Sequence, residues 1–328
     1  MLNGSLVVIG ASAGGVESLR RLVAQLPPDL PAAVAVVLHL SPTSKSMLAA
    51  ILSRSGPLPA HQAVDGESIE EGTIVVAPPD HHLMVEQGVF RVVRGPTENS
   101  SRPAIDPLFR TAAQIYGTRT VGVVLSGSLD DGTAGLFEVK RRGGWTMVQD
   151  PHDALHPDMP LSALEHVTVD VVADCAALGL HIAKAVQLGP RRAERISGTD
   201  TENPARVLPS GMSCPDCSGQ LWEIDDGEPL RFRCRVGHEW TGKALVEGQE
   251  RSLENALWAS LRIVGERSQL TQRMLDRARG REQHHVARLL ETRLDELAAE
   301  AQLLETAIGN PVSHVPEDLT AALIDEPG

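Results

Sequence analysis

Aromatic side chains make up only 3% of the 328 residues, and there is a single tyrosine, Tyr116. Thr120, not lysine, stands four positions later, so the tyrosine–lysine pair of a short-chain dehydrogenase is missing. Positive charge is also scarce: 30 Lys and Arg against 43 Asp and Glu leave a formal net charge of −13. A field of that sign opposes wrapping by a phosphate backbone, so no nucleic-acid partner is expected. No apolar run approaches the roughly 20 residues that cross a bilayer, and Met1-Leu2-Asn3-Gly4 has neither a basic n-region nor a cleavage-like site. The expectation is a cytoplasmic protein without membrane insertion. Cysteines number four. Three of them cluster (Cys214, Cys217, Cys234), which in a reducing compartment points to metal, while the lone Cys175 reads as a small buried hydrophobe.

An apolar content of 42% is ample for a conventional core, and the length allows one sizeable domain plus smaller modules. The organising stretch is Leu6-Val-Val-Ile-Gly-Ala-Ser-Ala-Gly-Gly15. Its β-branched run suits a buried strand, and Val16, Leu19, Leu22, Val23 and Leu26 then recur at helical spacing. Gly10, Ser12 and Gly14 spell G-x-S-x-G, a sharp turn that exposes a hydroxyl and aims backbone N–H groups at developing negative charge. Acyl transfer is one reading of this turn, and a phosphate-gripping loop is the other. A dinucleotide site fits poorly, because Gly-Ala-Ser lacks the second glycine of G-x-G.

Ala32 to Leu40 reads as a second buried strand, with His39 at its end. Strands alternating with helices imply parallel pairing, which places ligands at the carboxyl ends of strands. A helix is expected over 45–55. Over 60–94, short runs split by Pro78-Pro79-Asp80 and Gln87-Gly88 predict antiparallel strands and hairpins inserted between the parallel units. A helix over 106–116 and a buried strand over 120–125 follow. The turn Ser126-Gly127-Ser128-Leu129-Asp130-Asp131-Gly132 then opens a helix running to 142. Asp131 can cap that helix or orient an imidazole. A strand over 145–149, a helix over 160–166, a strand over 167–172 and a helix over 176–186 complete a doubly wound α/β domain with a mainly parallel sheet and a small hairpin insertion, spanning 1–188.

Taken together, Gly10-Ala-Ser-Ala-Gly-Gly15, the strand ending in His39, Asp65-Gly66-Glu67, Ala77-Pro78 with His82, Arg102-Pro103 with Asp106 and Leu108-Phe109, Leu125-Ser-Gly127 with Asp131-Gly132, Gln149-Asp150 and Met159-Pro160 resemble, in this order, the catalytic domain of the chemotaxis protein-glutamate methylesterases, the CheB family. The resemblance covers about residues 5–187. It implies a Ser-His-Asp triad carried by Ser12, His39 and Asp131, with no catalytic cofactor, and demethylation of glutamate γ-methyl esters or deamidation of glutamine. The implied substrate is a helical segment of a methyl-accepting chemotaxis receptor or a similar coiled-coil sensor. Ala13 and Gly14 with the loop at Ser128, and Met159 nearby, are the candidates for the oxyanion and substrate loop. The chain departs from the family pattern at Ser128-Leu129, where Met-Gly is usual, and at Ala13, where threonine is frequent. A receiver domain has no counterpart before the first strand, so phosphorylation in cis is not the expected switch.

Residues 189–211 are polar, carry Pro204 and Pro209, and read as a linker. In 212–240, Cys214-Pro-Asp-Cys217 and Cys234-Arg-Val-Gly-His238 flank a hairpin with Asp226-Gly227 at its turn. Two ligand pairs on tight turns can close a tetrahedron around zinc, leaving no open position, so the site is structural. This module resembles the zinc-ribbon extension of some single-domain methylesterase relatives. Over 241–309, apolar residues at three- and four-residue intervals predict two antiparallel helices broken at Ala278-Arg-Gly280. Their stripe is expected to form a mutual core or else a face for homo- or hetero-contacts. Residues 310–328 read as an acidic tail. The alternative to an esterase is a catalytically weakened scaffold of the same fold, acting through its zinc and helical modules.

Overall fold

The computed structural model describes residues 4–43, 46–190, 206–225 and 229–309. The expected tail, most of the linker and the Asp226-Gly227 turn lie outside the described residues.

A seven-stranded sheet carries the first part of the chain. In chain order the elements are β1 (Ser5–Ala11), α1 (Gly15–Val23), β2 (Ala32–Leu38), α2 (Leu48–Ser55), β3 (Ala60–Gln62), β4 (Ile74–Val76), β5 (His82–Glu86), β6 (Val89–Val93) and α3 (Ile105–Tyr116). After a short 3-10 turn come β7 (Thr120–Val124), α4 (Thr133–Arg141), β8 (Trp145–Gln149), α5 (Asp158–His166), β9 (Val171–Ala173) and α6 (Cys175–Leu188). The strand order is β3-β4-β2-β1-β7-β8-β9, with every pairing parallel. The chain winds outward from β1 through β2 on one side and resumes at β7 on the other. β1 and β7 therefore bracket the point where strand order reverses, where α/β sheets place their ligand crevices. One face packs on α1, α2 and α6 through Leu19, Leu22, Leu52, Leu178 and Ile182. The opposite face packs on α3, α4 and α5 through Phe109, Ala112, Leu136, Met159 and Ala163. Cys175 is wholly buried in the first of these cores.

Two expectations are corrected here. Only β5 and β6 form an antiparallel hairpin; β3 and β4 join the parallel sheet. The Ile74-Val75-Val76 run is buried throughout, the continuous apolar signature of a strand covered on both faces. Val16, assigned to the core face of the first helix, is 39% exposed, because it lies in the first turn, ahead of the covered stretch.

The metal-candidate module is larger than a hairpin. β10 (Arg206–Ser213), β11 (Gln220–Asp225), β12 (Arg231–Cys234) and β13 (Glu239–Thr241) form an antiparallel sheet in that order. The carboxyl-terminal part of the expected linker is thus strand β10. Its Pro209 and the register shift between Pro209 and Ser213 hid it from pattern reading, and an edge strand tolerates both. Leu221, Phe232 and Trp240 fill its small core with Ala244 and Leu245 of α7 (Gly242–Gly280).

The chain divides into two compact units, Met1–Glu247 and Gly248–Gly328. In the second, α7 continues to Gly280, and α8 (His284–Gly309) follows after the predicted break. Leu275, Ala278 and Ala287 pack with Leu290 and Leu294, and Leu297 is 1% exposed. The stripe is not all mutual core, however. Leu253, Met274 and Leu289 are at least half exposed, because two helices share one seam and can bury only what faces it.

Candidate active site

Ser12 follows β1 directly, and its N–H donates to Ser126 O at 2.9 Å, extending the β1–β7 pairing by one step. His39 follows β2, its N–H donating to Ala11 O at 3.2 Å. Asp131 lies in the turn between β7 and α4. Three neighbouring strands thus deliver three side chains to one rim of the sheet. The Ser12 Oγ hydroxyl is 3.1 Å from His39 Nδ1, and His39 Nε2 is 2.7 Å from Asp131 Oδ2. A carboxylate can only accept, so Nε2 carries the proton and donates to Asp131, while Nδ1 accepts from the serine. The ring is therefore used in the sense opposite to that of the chymotrypsin triad, where Nε2 faces the serine.

Asp131 is 2% exposed, and its two oxygens are held from all sides. Oδ2 accepts from Ile105 N–H at 2.6 Å as well as from the imidazole, and Oδ1 accepts from Gly132 N–H (3.0 Å), Asp106 N–H (3.3 Å) and Asn99 Nδ2 (3.1 Å). Ile105 and Asp106 form the first turn of α3, which has no side-chain cap of its own. Asp131 fills that role from across the domain, where free N–H groups and the helix dipole favour an anion. Burial alone would push its pKa up, but the His39 hydrogen bond and charge, with the Ile105 and Asn99 donors, bring it down to about 2. Asp106 caps α4 in return, accepting from Gly132 N–H at 3.1 Å and Gly135 N–H at 2.6 Å. Burial and the adjacent Asp131 charge push Asp106 well above the usual carboxylate range. Two neighbouring carboxyls are thereby driven apart, one fixed as the anion facing the imidazole and one toward the neutral acid. Asp131 faces the imidazole, and the helix start that its side chain caps is that of α3 rather than the expected α4, whose start is held by Asp106.

The nucleophile turn is tightly packed. Gly14 takes φ 74°, and a Cβ there would stand 2.8 Å from Ser126 Oγ and 2.9 Å from Leu155 Cβ. A Cβ on Gly127 would stand 2.7 Å from Ser12 Cβ and closer still to Met159 Sδ. Gly127 N–H is committed to His156 O, whereas those of Ala13 and Gly14 meet no acceptor among the described residues. Ser128 is exposed beside the turn, and Leu129 adopts φ 64°, a left-handed conformation that costs a non-glycine residue roughly 1–2 kcal/mol. Met159, expected on the substrate loop, is fully buried beneath Gly127. Ser126 and Gln149 stand in stretches that carry the family resemblance, but their part in bracing the turn was not read from the sequence. Ser126 Oγ donates to Ala13 O at 2.8 Å, and Gln149 Oε1 accepts from Ser126 N–H at 2.8 Å. Asn99 is unmarked, lying in a polar loop stretch.

Cys214, Cys217, Cys234 and His238 bring their ligand atoms within 4.8 Å of one another. Cys217 Sγ to Cys234 Sγ is 3.6 Å, and His238 Nδ1 lies 3.6 Å from Cys214 Sγ and 3.5 Å from Cys234 Sγ. Metal–sulfur bonds of about 2.3 Å and metal–nitrogen bonds of about 2.0 Å at tetrahedral angles require ligand separations of roughly 3.5–3.8 Å. The donor set and its spacing fit a zinc ion.

Residues 7–182 match the CheB methylesterase family. A Leptospira interrogans chain provisionally named protein-glutamate methylesterase/protein-glutamine glutaminase is 37% identical over 172 residues, which cover 52% of this chain and 89% of that one. A Pyrococcus horikoshii protein-glutamate methylesterase/protein-glutamine glutaminase is 36% identical over 56% of this chain and 50% of its own length. The crystal structure of the Thermotoga maritima CheB methylesterase catalytic domain superposes with a TM-score of 0.55 at 34% identity, covering 56% of this chain and all of that domain. A parallel sheet with serine, histidine and aspartate at one rim, matched along 7–182 in sequence and in fold, makes this chain a member of the CheB methylesterase family.

Proposed function

We propose that the chain is a serine hydrolase that cleaves glutamate γ-methyl esters, and glutamine amides by the same acyl chemistry, on a helical receptor segment of the methyl-accepting chemotaxis type. The observation that carries this reading is the unbroken hydrogen-bonded line from Ser12 Oγ through both His39 nitrogens to Asp131. Ser12 Oγ attacks the γ-carbonyl carbon while His39 Nδ1 takes the hydroxyl proton, and the resulting imidazolium is held by the Asp131 anion. The negative charge that develops on the carbonyl oxygen is met by the N–H groups of Ala13 and Gly14, whose hydrogen-bonding capacity the fold leaves unspent. His39 Nδ1 then returns its proton to the departing methoxide, releasing methanol, or to the departing amide nitrogen, releasing ammonia. Water, deprotonated by the same nitrogen, attacks the acyl carbon; the bond to Ser12 Oγ breaks, the serine regains the proton, and the glutamate side chain leaves as a carboxylate.

Zinc held by Cys214, Cys217, Cys234 and His238 has a structural part, because four protein ligands leave no position for substrate. No helix among the described residues is long and apolar enough to cross a membrane, and we place the protein in the cytoplasm, where receptor signalling segments lie. The exposed apolar positions of α7 and α8, Leu253, Leu270 and Leu303 among them, offer a face for a helical partner or a second copy. A fluorophosphonate probe should label the wild type and leave Ser12→Ala unlabelled, and methanol release from methylated receptor membranes should follow the same pattern. A folded wild type that takes no label would reduce the site to a scaffold.

A further inference from the structure

Besides His39, Asn99 donates to Asp131 from a loop outside both helix starts, and the metal-candidate module grips that loop. Its side chain is 6% exposed and fully used. Nδ2 donates to Asp131 Oδ1 at 3.1 Å and to Asp106 Oδ2 at 3.3 Å, and Oδ1 accepts the Thr241 N–H at 2.9 Å. Asn99 N–H in turn donates to Glu239 O at 2.9 Å. Strand β13, immediately after His238, therefore clamps Asn99 by backbone and side chain together. The Thr241 hydroxyl also donates to Asp130 Oδ1 at 2.7 Å, next to the triad carboxylate.

Both knuckles of the module meet this loop. Asp216, between Cys214 and Cys217, accepts from Thr97 Oγ1 at 2.5 Å. In the other knuckle, Cys234 N–H donates to His238 O at 3.1 Å, and a Cβ on Gly237 would stand 3.1 Å from Pro96. The loop's flanks are pinned separately within the α/β domain, by His82 Nε2 donating to Pro96 O at 2.7 Å and by the Arg102–Asp80 ion pair. Between them, Arg110 of α3 holds the Glu98 carboxylate at 2.9 Å, while the Thr97 hydroxyl and the backbone N–H and side-chain oxygen of Asn99 are taken by the module. Asn99 itself sits at φ 50°, in the left-handed region that asparagine adopts more readily than other non-glycine residues.

We propose that the Cys214/Cys217/Cys234/His238 module is a working part of the hydrolase site. Zinc bound there fixes β13, β13 fixes Asn99, and Asn99 acts as a positioning residue that holds the Asp131 carboxylate in line with His39. This extends the reading of Ser12, His39 and Asp131 as a hydrolytic triad, and rests on it. Metal loading then sets the rate of serine acylation from outside the catalytic centre. A misplacement of about 1 Å in such an array costs on the order of a hundred-fold in rate.

The test compares four states of the full chain: wild type and Asn99→Gly, each zinc-loaded and zinc-stripped. Glycine accepts the positive φ without strain and removes only the amide side chain. The readouts are the rate of fluorophosphonate labelling at Ser12, the melting curve, and the proton resonance of the His39 Nε2–H bonded to Asp131. Zinc removal from the wild type should slow labelling by about 10- to 100-fold and broaden that resonance while the α/β melting transition persists. Asn99→Gly should do the same with zinc present, and stripping zinc from it should add little, because both changes break one connection. Full-rate labelling and a sharp resonance in the zinc-free wild type, or losses that multiply, would overturn the proposal. A wild type that never labels but whose resonance still depends on zinc and Asn99 would instead overturn the esterase reading and leave the positioning role standing.

Discussion

In the α/β unit Val7, Val34, Val36 and Val123 are wholly buried, whereas in the helical unit Leu253, Met274 and Leu289, which fall on the regular apolar stripe, are 50–59% exposed. The difference lies in what each pattern has to pack against. A parallel sheet brings its own crossover helices to both faces, so apolar strands are covered by the chain that connects them. A helix pair supplies one seam, and every apolar residue off that seam stays at the surface until something else covers it. Regular apolar spacing therefore reports the element type in both regions, but burial only in the first.

That contrast can be broken or sharpened by substitution. The largest effect belongs to the sheet rim: Asp131→Asn should lower the labelling rate of Ser12 by about 10⁴-fold, because an amide cannot hold the imidazole in the tautomer that leaves Nδ1 free to accept. The seam of the helical unit comes next. Leu297→Ala should cost about 3 kcal/mol in the melting of that unit, and Leu303→Ala less than about 0.5 kcal/mol; equal losses would mean that Leu303 is covered after all. Between these two falls a pH effect at the rim. Burial pushes Asp130 up to about 6, against the opposing Thr241 hydrogen bond. Its raised folded-state pKa means that the native state keeps a proton which the unfolded chain has lost, so wild-type stability falls as pH rises from about 4 through 6. Asp130→Asn should match wild type near pH 4 and exceed it by about 2 kcal/mol at pH 8, measured by denaturant unfolding at both pH values.

The succession of the main strands and helices along the chain, and the positions of Ser12 and His39 at strand ends, were legible because local signals coincide there: a β-branched run, a glycine turn, then a helical period. The β3–β4 pair was misread because three-residue strands carry no period with which to choose a pairing direction. β10 was missed because Pro209 reads as a break, and only a partner strand reveals an edge. Asn99 had no local signal at all. Its importance comes from standing between Asp131, 32 residues ahead, and Thr241, 142 residues ahead.

By itself the sequence determined the alternation of strands and helices, the chemistry available at the strand ends and the metal-ligand spacing, since each is a property of residues close together in the chain. The tertiary structure alone decided which nitrogen of His39 faces the serine, in which directions the Asp106 and Asp131 carboxyls are pushed, and that the cysteine module touches the loop behind the triad. Those outcomes depend on helix dipoles, desolvation and contacts between segments that meet only when the chain is folded.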